Sequence, residues 1–368
     1  MKIVWVGHIS ENCGHGQSSR DYINLLDKAG IDVYGRNIQL HEQLPFWGEK
    51  IVSLCSKPKC EDPDIFLVHK APWNQDGSIE DFSNMPEFVA AKKRIFMTIF
   101  ETSRWPDNWK PVLEKFDSII TACTWQRQAA INLMGVAWAS KIHVAPHVVE
   151  PNWEYKPKPG PYVFFSEFSR ISDRKGLDIL LKAYFHAFDA NSNVVLRLKI
   201  GPSELEKLNN EIQKAKKCFN WRTHPKIDIC SAFLKPEDMP ELWDGVDCYV
   251  CSARGEGFAL SLAQAAVNGL SCAVPVDLCH EFENWHQDFL EEESYNAIMV
   301  PVLTQEFADV QMKIDTSAMA WLEPNPFALS RWMKEISEKP KNRIDRSKTI
   351  EYLSSQNVLS MLKIAMEA

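Results

Sequence analysis

The sequence predicts an α/β protein built from two parallel-sheet domains, and three observations lead there. The chain has 368 residues, more than one comfortable core and in the range of two domains. Apolar runs of strand length alternate with segments of helical periodicity over nearly the whole chain, the pattern of parallel sheets covered by helices. That alternation occurs twice, in two series separated by a proline-rich break.

In the first series, strands are expected at 2–6, 64–68, 94–100, 118–122 and 142–145. The second series places them at 162–165, 194–200, 227–231, 248–251 and 272–274. Each is a short, mainly apolar run of strand length, the composition expected where helices cover a parallel sheet. The break between the series is Glu150-Pro-Asn-Trp-Glu-Tyr-Lys-Pro-Lys-Pro-Gly-Pro161, whose four prolines and one glycine forbid a helix or a central strand. Domains are accordingly expected at 1–152 and 153–340. Glu323-Pro-Asn-Pro326 precedes a helical tail carrying Leu329, Trp332, Ile336, Tyr352, Leu359, Leu362 and Ile364.

Hydrophobic residues make up 45% and charged residues 24%, values of an ordinary globular protein rather than a disordered or fibrous one. No apolar run approaches the roughly 18–20 residues that span a bilayer, and Met1 leads straight into a strand-like run instead of a signal peptide. A cytoplasmic location is expected, with docking at a membrane periphery left open. The net charge of −8 disfavours broad attraction to a polyanion. Ten cysteines are scattered without a framework; Cys248 and Cys251 have C-x-x-C spacing but lie in an apolar run, which favours core thiols over zinc or redox chemistry. No metal cluster is expected, because Asp62-Pro-Asp64 precedes a strand and reads as a turn.

In open parallel sheets, ligands bind beyond the carboxyl ends of strands, so the loops after the apolar runs are the places to search. The first is Gly7 to Arg20, containing Gly14 and Gly16, before a helix with Tyr22, Leu25 and Leu26 on one face. Its glycines permit close backbone approach, and free N–H groups at a helix start favour an anion. As a dinucleotide fingerprint it is defective: Ser19 replaces the third glycine, and Arg36 and Asn37 stand where an acid should grip the ribose. The second is Ser166 to Gly176, where Arg170 and Lys175 bracket a helix start. Cations are disfavoured at that positive end, so Arg174 and Lys175 there point to an anionic guest such as a diphosphate. The third is Ser252 to Leu260, with Glu256 between glycines and Gln264 eight positions on, one turn into a small-residue helix. A carboxylate accepts well from sugar hydroxyls, and an amide can hold a ribose diol.

Glu256-Gly-Phe-Ala-Leu-Ser-Leu-Ala-Gln264 through Gly269 resembles the E-x7-E signature of the GT-B retaining glycosyltransferases of family four. Ser169-Arg170 to Lys175-Gly176-Leu resembles that family's diphosphate loop. Thr121 to Gly135, Ile142 to His147 and Phe100-Glu-Thr-Ser-Arg-Trp-Pro106 resemble further stretches of it. The resemblance implies a GT-B fold, two Rossmann-like parallel-sheet domains facing across a cleft, with a tail of about 341–368 packed back on the first domain. It implies transfer of a hexosyl or pentosyl group, with retention and without a metal, from a nucleoside-diphosphate sugar, UDP- or GDP-linked. The acceptor would be a hydroxyl on a glycan, a lipid-linked or another molecule, with modified DNA a minor alternative.

By position, Glu256 would hold donor-sugar hydroxyls, and backbone N–H groups of Gly257, Phe258 and Ala259 would meet sugar and phosphate. Arg170 and Lys175 would stabilise the leaving diphosphate. Gln264 replaces the signature's second acid, which contacts the nucleotide ribose. His69 matches loosely a histidine near the reacting sugar, and Glu101 could meet acceptor hydroxyls. Trp73, Trp105 and Trp109 could stack on sugars, although core packing is the commoner use of tryptophan. Two rivals stand beside this reading: a noncatalytic nucleotide-sugar binder, motivated by Gln264, and an NAD(P)-dependent oxidoreductase using the Gly14 to Ser19 loop.

Overall fold

The computed structural model describes residues 1–11, 13–38, 48–72, 80–232, 234, 238–276, 278, 288–289, 293–302 and 319–368. Two compact units make up the chain: Met1–Val149 with Pro301–Ala320 and Glu351–Ala368, and Glu150–Val300 with Trp321–Ile350.

The first unit runs β1 (Lys2–Gly7), α1 (Gly14–Lys28), β2 (Asp32–Asn37), α2 (Gly48–Cys55), β3 (Ile65–His69), α3 (Pro86–Ala90), β4 (Lys93–Met97), α4 (Lys110–Leu113), β5 (Ser118–Thr121), α5 (Thr124–Met134) and β6 (Ile142–Val144). Its six strands lie in the order β2-β1-β3-β4-β5-β6, each parallel to its neighbours. Ile3, Trp5, Leu67, Ile95 and Ile120 form the core with Tyr22 and Leu26 of α1 and with Val358, Leu362, Ala365 and Met366 of the C-terminal helix Ser355–Glu367. Val4, Phe66 and Phe96, on the opposite face of the same strands, are buried as well, and burial on both faces is what the apolar strand runs encode.

The second unit runs β7 (Tyr162–Phe168), α6 (Leu177–Ala187), β8 (Val194–Ile200), α7 (Leu205–Cys218), β9 (Lys226–Cys230), α8 (Met239–Leu242), β10 (Cys248–Val250), α9 (Leu260–Val267), β11 (Ser271–Pro275) and β12 (Ser294–Tyr295). Its sheet is also six-stranded and parallel, in the order β12-β11-β10-β7-β8-β9. Helix Pro326–Ser337 starts at Asn325, whose side chain accepts from Phe327 N and Ala328 N at 2.9 and 3.1 Å. The helix then packs Leu329, Trp332 and Met333 beside Leu180 and Tyr184 of α6.

Several expectations are corrected. The strand anticipated over 94–100 stops at Met97, because Phe100 N turns to the Gln126 side chain at 3.1 Å instead of continuing the ladder. Helix α1 begins at Gly14, so the two glycines lie in its first turn and not in a preceding loop. The unit boundary falls at Glu150, and the part of the tail belonging to the first unit begins at Glu351, not near 341. Residues 341–346 are bound within the second unit instead: Lys341 Nζ lies 2.8 Å from Asp247 Oδ2, Ile344 N donates to Gly269 O at 2.9 Å, and Arg346 Nη2 pairs with Glu293 at 2.5 Å.

Candidate functional site

In each sheet the chain leaves its first strand in one direction and returns to the other side of it, creating a switch point where ligands of α/β proteins bind. In the second unit that point lies between β7 and β10. The loops that follow these two strands carry Arg170 to Gly176 and Ser252 to Ala259, two of the three loops singled out from the sequence.

These loops are tied together. Gly176 has φ +68°, and a Cβ there would lie 1.9 Å from Ser252 O, so only glycine lets the loops approach so closely. Arg254 N donates to Arg174 O at 2.7 Å, and Arg174 Nη1 donates to Gly255 O at 2.7 Å. The Arg254 guanidinium forks onto Asp178 of α6 at 2.9 and 3.1 Å and onto Glu323 at 2.6 and 2.9 Å. This bidentate pairing fixes the floor of the site.

On that floor, Lys175 Nζ lies 2.6 Å from Glu256 Oε1, and Arg174 Nη1 lies 3.7 Å from Oε2. Burial pushes the Glu256 carboxyl up, but Lys175 and Arg174 more than reverse that and hold it below its ordinary range. Glu256 is therefore an anion at neutral pH. Arg170 is exposed in the same loop, between a Ser169 carbonyl that packs on Gly201 and an Ile171 N–H held by Glu204 at 3.0 Å. Gly257, Phe258 and Ala259 lead into α9, with Phe258 buried and Ala259 in the left-handed region at φ 58°. Ala259 is the one non-glycine with positive φ among the described residues, a strained link at the helix start. Gln264, on α9, has its Nε2 2.8 Å from Asn152 Oδ1.

The first unit has its switch point between β1 and β3, where His8 follows β1, His69 ends β3 and Lys70 follows it. His69, matched loosely to a histidine near the reacting sugar, is held among other polar side chains. Its Nδ1 lies 2.6 Å from Ser19 Oγ, and its ring stands edge-on to His15 and His147 at centroid distances of 5.8 and 6.1 Å. His147 Nδ1 lies 3.1 Å from the Tyr22 hydroxyl, which donates to Ala145 O. Burial depresses every one of these imidazoles: His8 falls to about 4, with Lys70 and His15 adding to the effect, and His147 to about 3. His69 is pushed well below its usual value, first by burial and then by its histidine neighbours. Burial and Lys70 lower His15, and the Glu101 carboxylate opposes them. The cluster therefore presents neutral imidazoles, able to accept or donate a hydrogen bond.

Sequence reasoning missed this cluster because His69 and His147 are far along the chain from His8 and His15, and only the strand order assembles them. Gly16 is explained without a ligand: a Cβ there would lie 1.9 Å from Glu11 O, whereas nothing crowds Gly14. Ser19 spends its hydroxyl on His69, Arg36 pairs with Glu87 at 2.7 Å, and Asn37 Oδ1 accepts from Ser10 N at 2.9 Å. The features that weakened the dinucleotide fingerprint are thus committed to internal contacts. Trp105 and Trp109 are fully buried against each other and Phe100, which removes them from sugar stacking, and Trp73 lies outside the described residues.

Solved structures share this architecture over the full length of the chain. WaaB, a lipopolysaccharide outer core galactosyltransferase, superposes with a TM-score of 0.58 at 13% identity, over 100% of this chain and 99% of that one. HepE of Anabaena, in complex with UDP, gives 0.53 at 14% identity, over 99% and 100%. A glycosyltransferase of Rickettsia africae gives 0.54 at 12%, over 100% and 98%. The fold is GT-B. No protein-family model matches the chain, and no curated protein sequence matches it significantly. Within the GT-B fold, the paired loops after β7 and β10 and the histidine cluster after β1 and β3 are the two sites the topology creates. No helix among the described residues is long and apolar enough to cross a membrane, and no group of three or more His, Cys, Asp or Glu among them could hold a metal ion.

Proposed function

We propose that the chain is a retaining, metal-independent glycosyltransferase of the family-four type, moving a hexosyl or pentosyl group from a nucleoside-diphosphate sugar to an acceptor hydroxyl. The observation that carries the proposal is the contact of Lys175 and Arg174 with Glu256 at the switch point of the second sheet. A leaving diphosphate needs fixed positive charge close to the bond that breaks, and a sugar with oxocarbenium character is favoured by a nearby carboxylate. The two requirements are met side by side. Lys175 and Arg174, with Arg170 at the mouth, would take the phosphates, and Glu256 the donor-sugar hydroxyls. The backbone of Gly257, Phe258 and Ala259 at the start of α9 would meet the rest of the donor. The roles assigned to Gly14, His69 and Glu101 toward the sugar and the acceptor belong to this reading too, with the neutral histidines offering hydrogen bonds without added charge. Cationic side chains in this arrangement serve where other transferases use a metal. A buried free thiol such as that of Cys248 suits a cytoplasmic setting.

UDP is the first nucleotide to test, since HepE, with the same fold, is seen with UDP and with UDP-glucose. Calorimetry with UDP, GDP, their sugar conjugates and NAD(P) decides the class. Selective binding of a sugar nucleotide, weakened in the Arg170→Ala, Lys175→Ala double variant, is the expected result; binding of NAD(P) alone would overturn it. Each lost charge-assisted contact should weaken binding by ~10-fold or more.

A further inference from the structure

Gln264 stands where the resembled signature carries an acid, and its surroundings account for an amide. Its Nε2 donates to Asn152 Oδ1 at 2.8 Å and lies 3.5 Å from Glu150 O. Both facing groups are oxygen acceptors. The orientation of the Asn152 amide is fixed by a second donor, Asn268 Nδ2, 3.5 Å from the same oxygen. Asn268 is buried and completes the arrangement: its Oδ1 accepts from Asn152 N at 3.2 Å and Trp153 N at 3.0 Å, and its Nδ2 donates to Gln264 O at 2.7 Å. Tyr155 N donates to Asn268 O at 3.3 Å. Residues 150–155 are the stretch by which the chain passes from Val149 into the second unit and on to β7. A carboxylate at 264 would bring a charge and no proton to two carbonyl oxygens, leaving it repelled where the amide is bonded.

We propose that Gln264 is a latch that fastens residues 150–155 to α9, and that this contact, not the nucleotide, dictates an amide in place of the signature acid. With Nε2 engaged, Oε1 is the end of the side chain left to accept from a ribose hydroxyl. Restoring the acid therefore releases the passage segment and does not tighten nucleotide binding. The last clause rests on the donor-site reading above; the latch itself does not.

Amide hydrogen exchange of the full chain, measured without nucleotide, tests the latch. In Gln264→Glu and Gln264→Leu the amides of Asn152, Trp153 and Tyr155 should exchange faster by ~5-fold or more, the equivalent of one lost hydrogen bond, while those of β7 keep their rates. Asn152→Asp keeps the acceptor and should stay within about twofold of the parent. A local change confined to 152–155 separates the latch from general destabilisation, which would quicken β7 as well and overturn the proposal. Calorimetry with UDP then compares the parent with Gln264→Glu. Equal or weaker UDP binding with faster exchange is the expected pair of results; unchanged exchange with tighter binding would show Gln264 to be a weakened ribose ligand and the latch to be wrong. If neither UDP nor GDP binds any variant, the donor reading fails while the exchange result still decides the latch.

Discussion

Glu256 keeps its charge in a half-closed site because two cations face it, and this pairing makes its removal informative. In Glu256→Gln the amide retains the shape and an acceptor for Lys175 but loses the charge that favours a positive sugar. Transfer should fall by ~100-fold or more, a loss typical of removing one electrostatic contact to a transition state. UDP affinity should hold or improve, since Lys175 is freed toward phosphate. Steady-state rates with calorimetry on the same protein check this, and undiminished turnover would remove Glu256 from the site. The histidines give a second prediction at this scale. His8 and His147 titrate at about 4 and about 3 in the folded chain, below the ~6.5 of an exposed imidazole, so in acid the unfolded chain takes up protons first. Their contribution is whole above pH ~6.5 and is lost as pH falls toward these folded values. Asp21, pushed up to about 6 by desolvation, gains its proton early in the fold and offsets one histidine between about 6 and 4. Urea unfolding between pH 7 and 4 should therefore show falling stability, and His147→Asn should flatten the slope by up to about 1.4 kcal/mol per pH unit. A slope that does not change would mean His147 is not held neutral by the fold.

At the scale of elements, the turn between β7 and α6 depends on one glycine. A methyl group at 176 would meet Ser252 O at 1.9 Å in a backbone conformation that L residues avoid, so Gly176→Ala must move one loop off the other. A loss of roughly 2 kcal/mol or more is expected, with UDP affinity reduced further because Lys175 is the preceding residue. A variant with parental stability and affinity would show that the loops can separate without consequence for the site. The same elements mark what the sequence made legible. Apolar runs such as 162–165 predicted their strands because both faces of a parallel strand are covered. β2 escaped notice because Asp32, Gly35, Arg36 and Asn37 give it neither an apolar run nor alternation, its place being set by pairing with β1. β12 has two residues, too few for any periodic signal. Glu256, Arg170 and Lys175 were readable because loop position and charge are local properties. The Lys175 to Glu256 contact, the Arg254 fork and the histidine cluster join residues distant in sequence, and only the folded topology brings them together.

At the scale of the whole chain, the core of the first unit joins segments more than 300 positions apart. Val358, Leu362, Ala365 and Met366 lie in the same hydrophobic cluster as Ile3, Trp5 and Tyr22. Contacts of such separation form late in folding, and their loss should be felt in one unit only. Leu362 is fully buried, and Leu362→Ala should cost roughly 2–5 kcal/mol through lost burial and the cavity left behind. Because Arg174, Lys175 and Glu256, the residues proposed to hold the donor, belong to the other unit, UDP should stabilise the variant and the parent by the same increment, an increment set by ligand concentration and affinity alone. Scanning calorimetry with and without UDP separates the two effects. A lowered transition with an unchanged UDP increment assigns the tail to the stability of the first unit, whereas a diminished increment would show that the tail governs nucleotide binding as well.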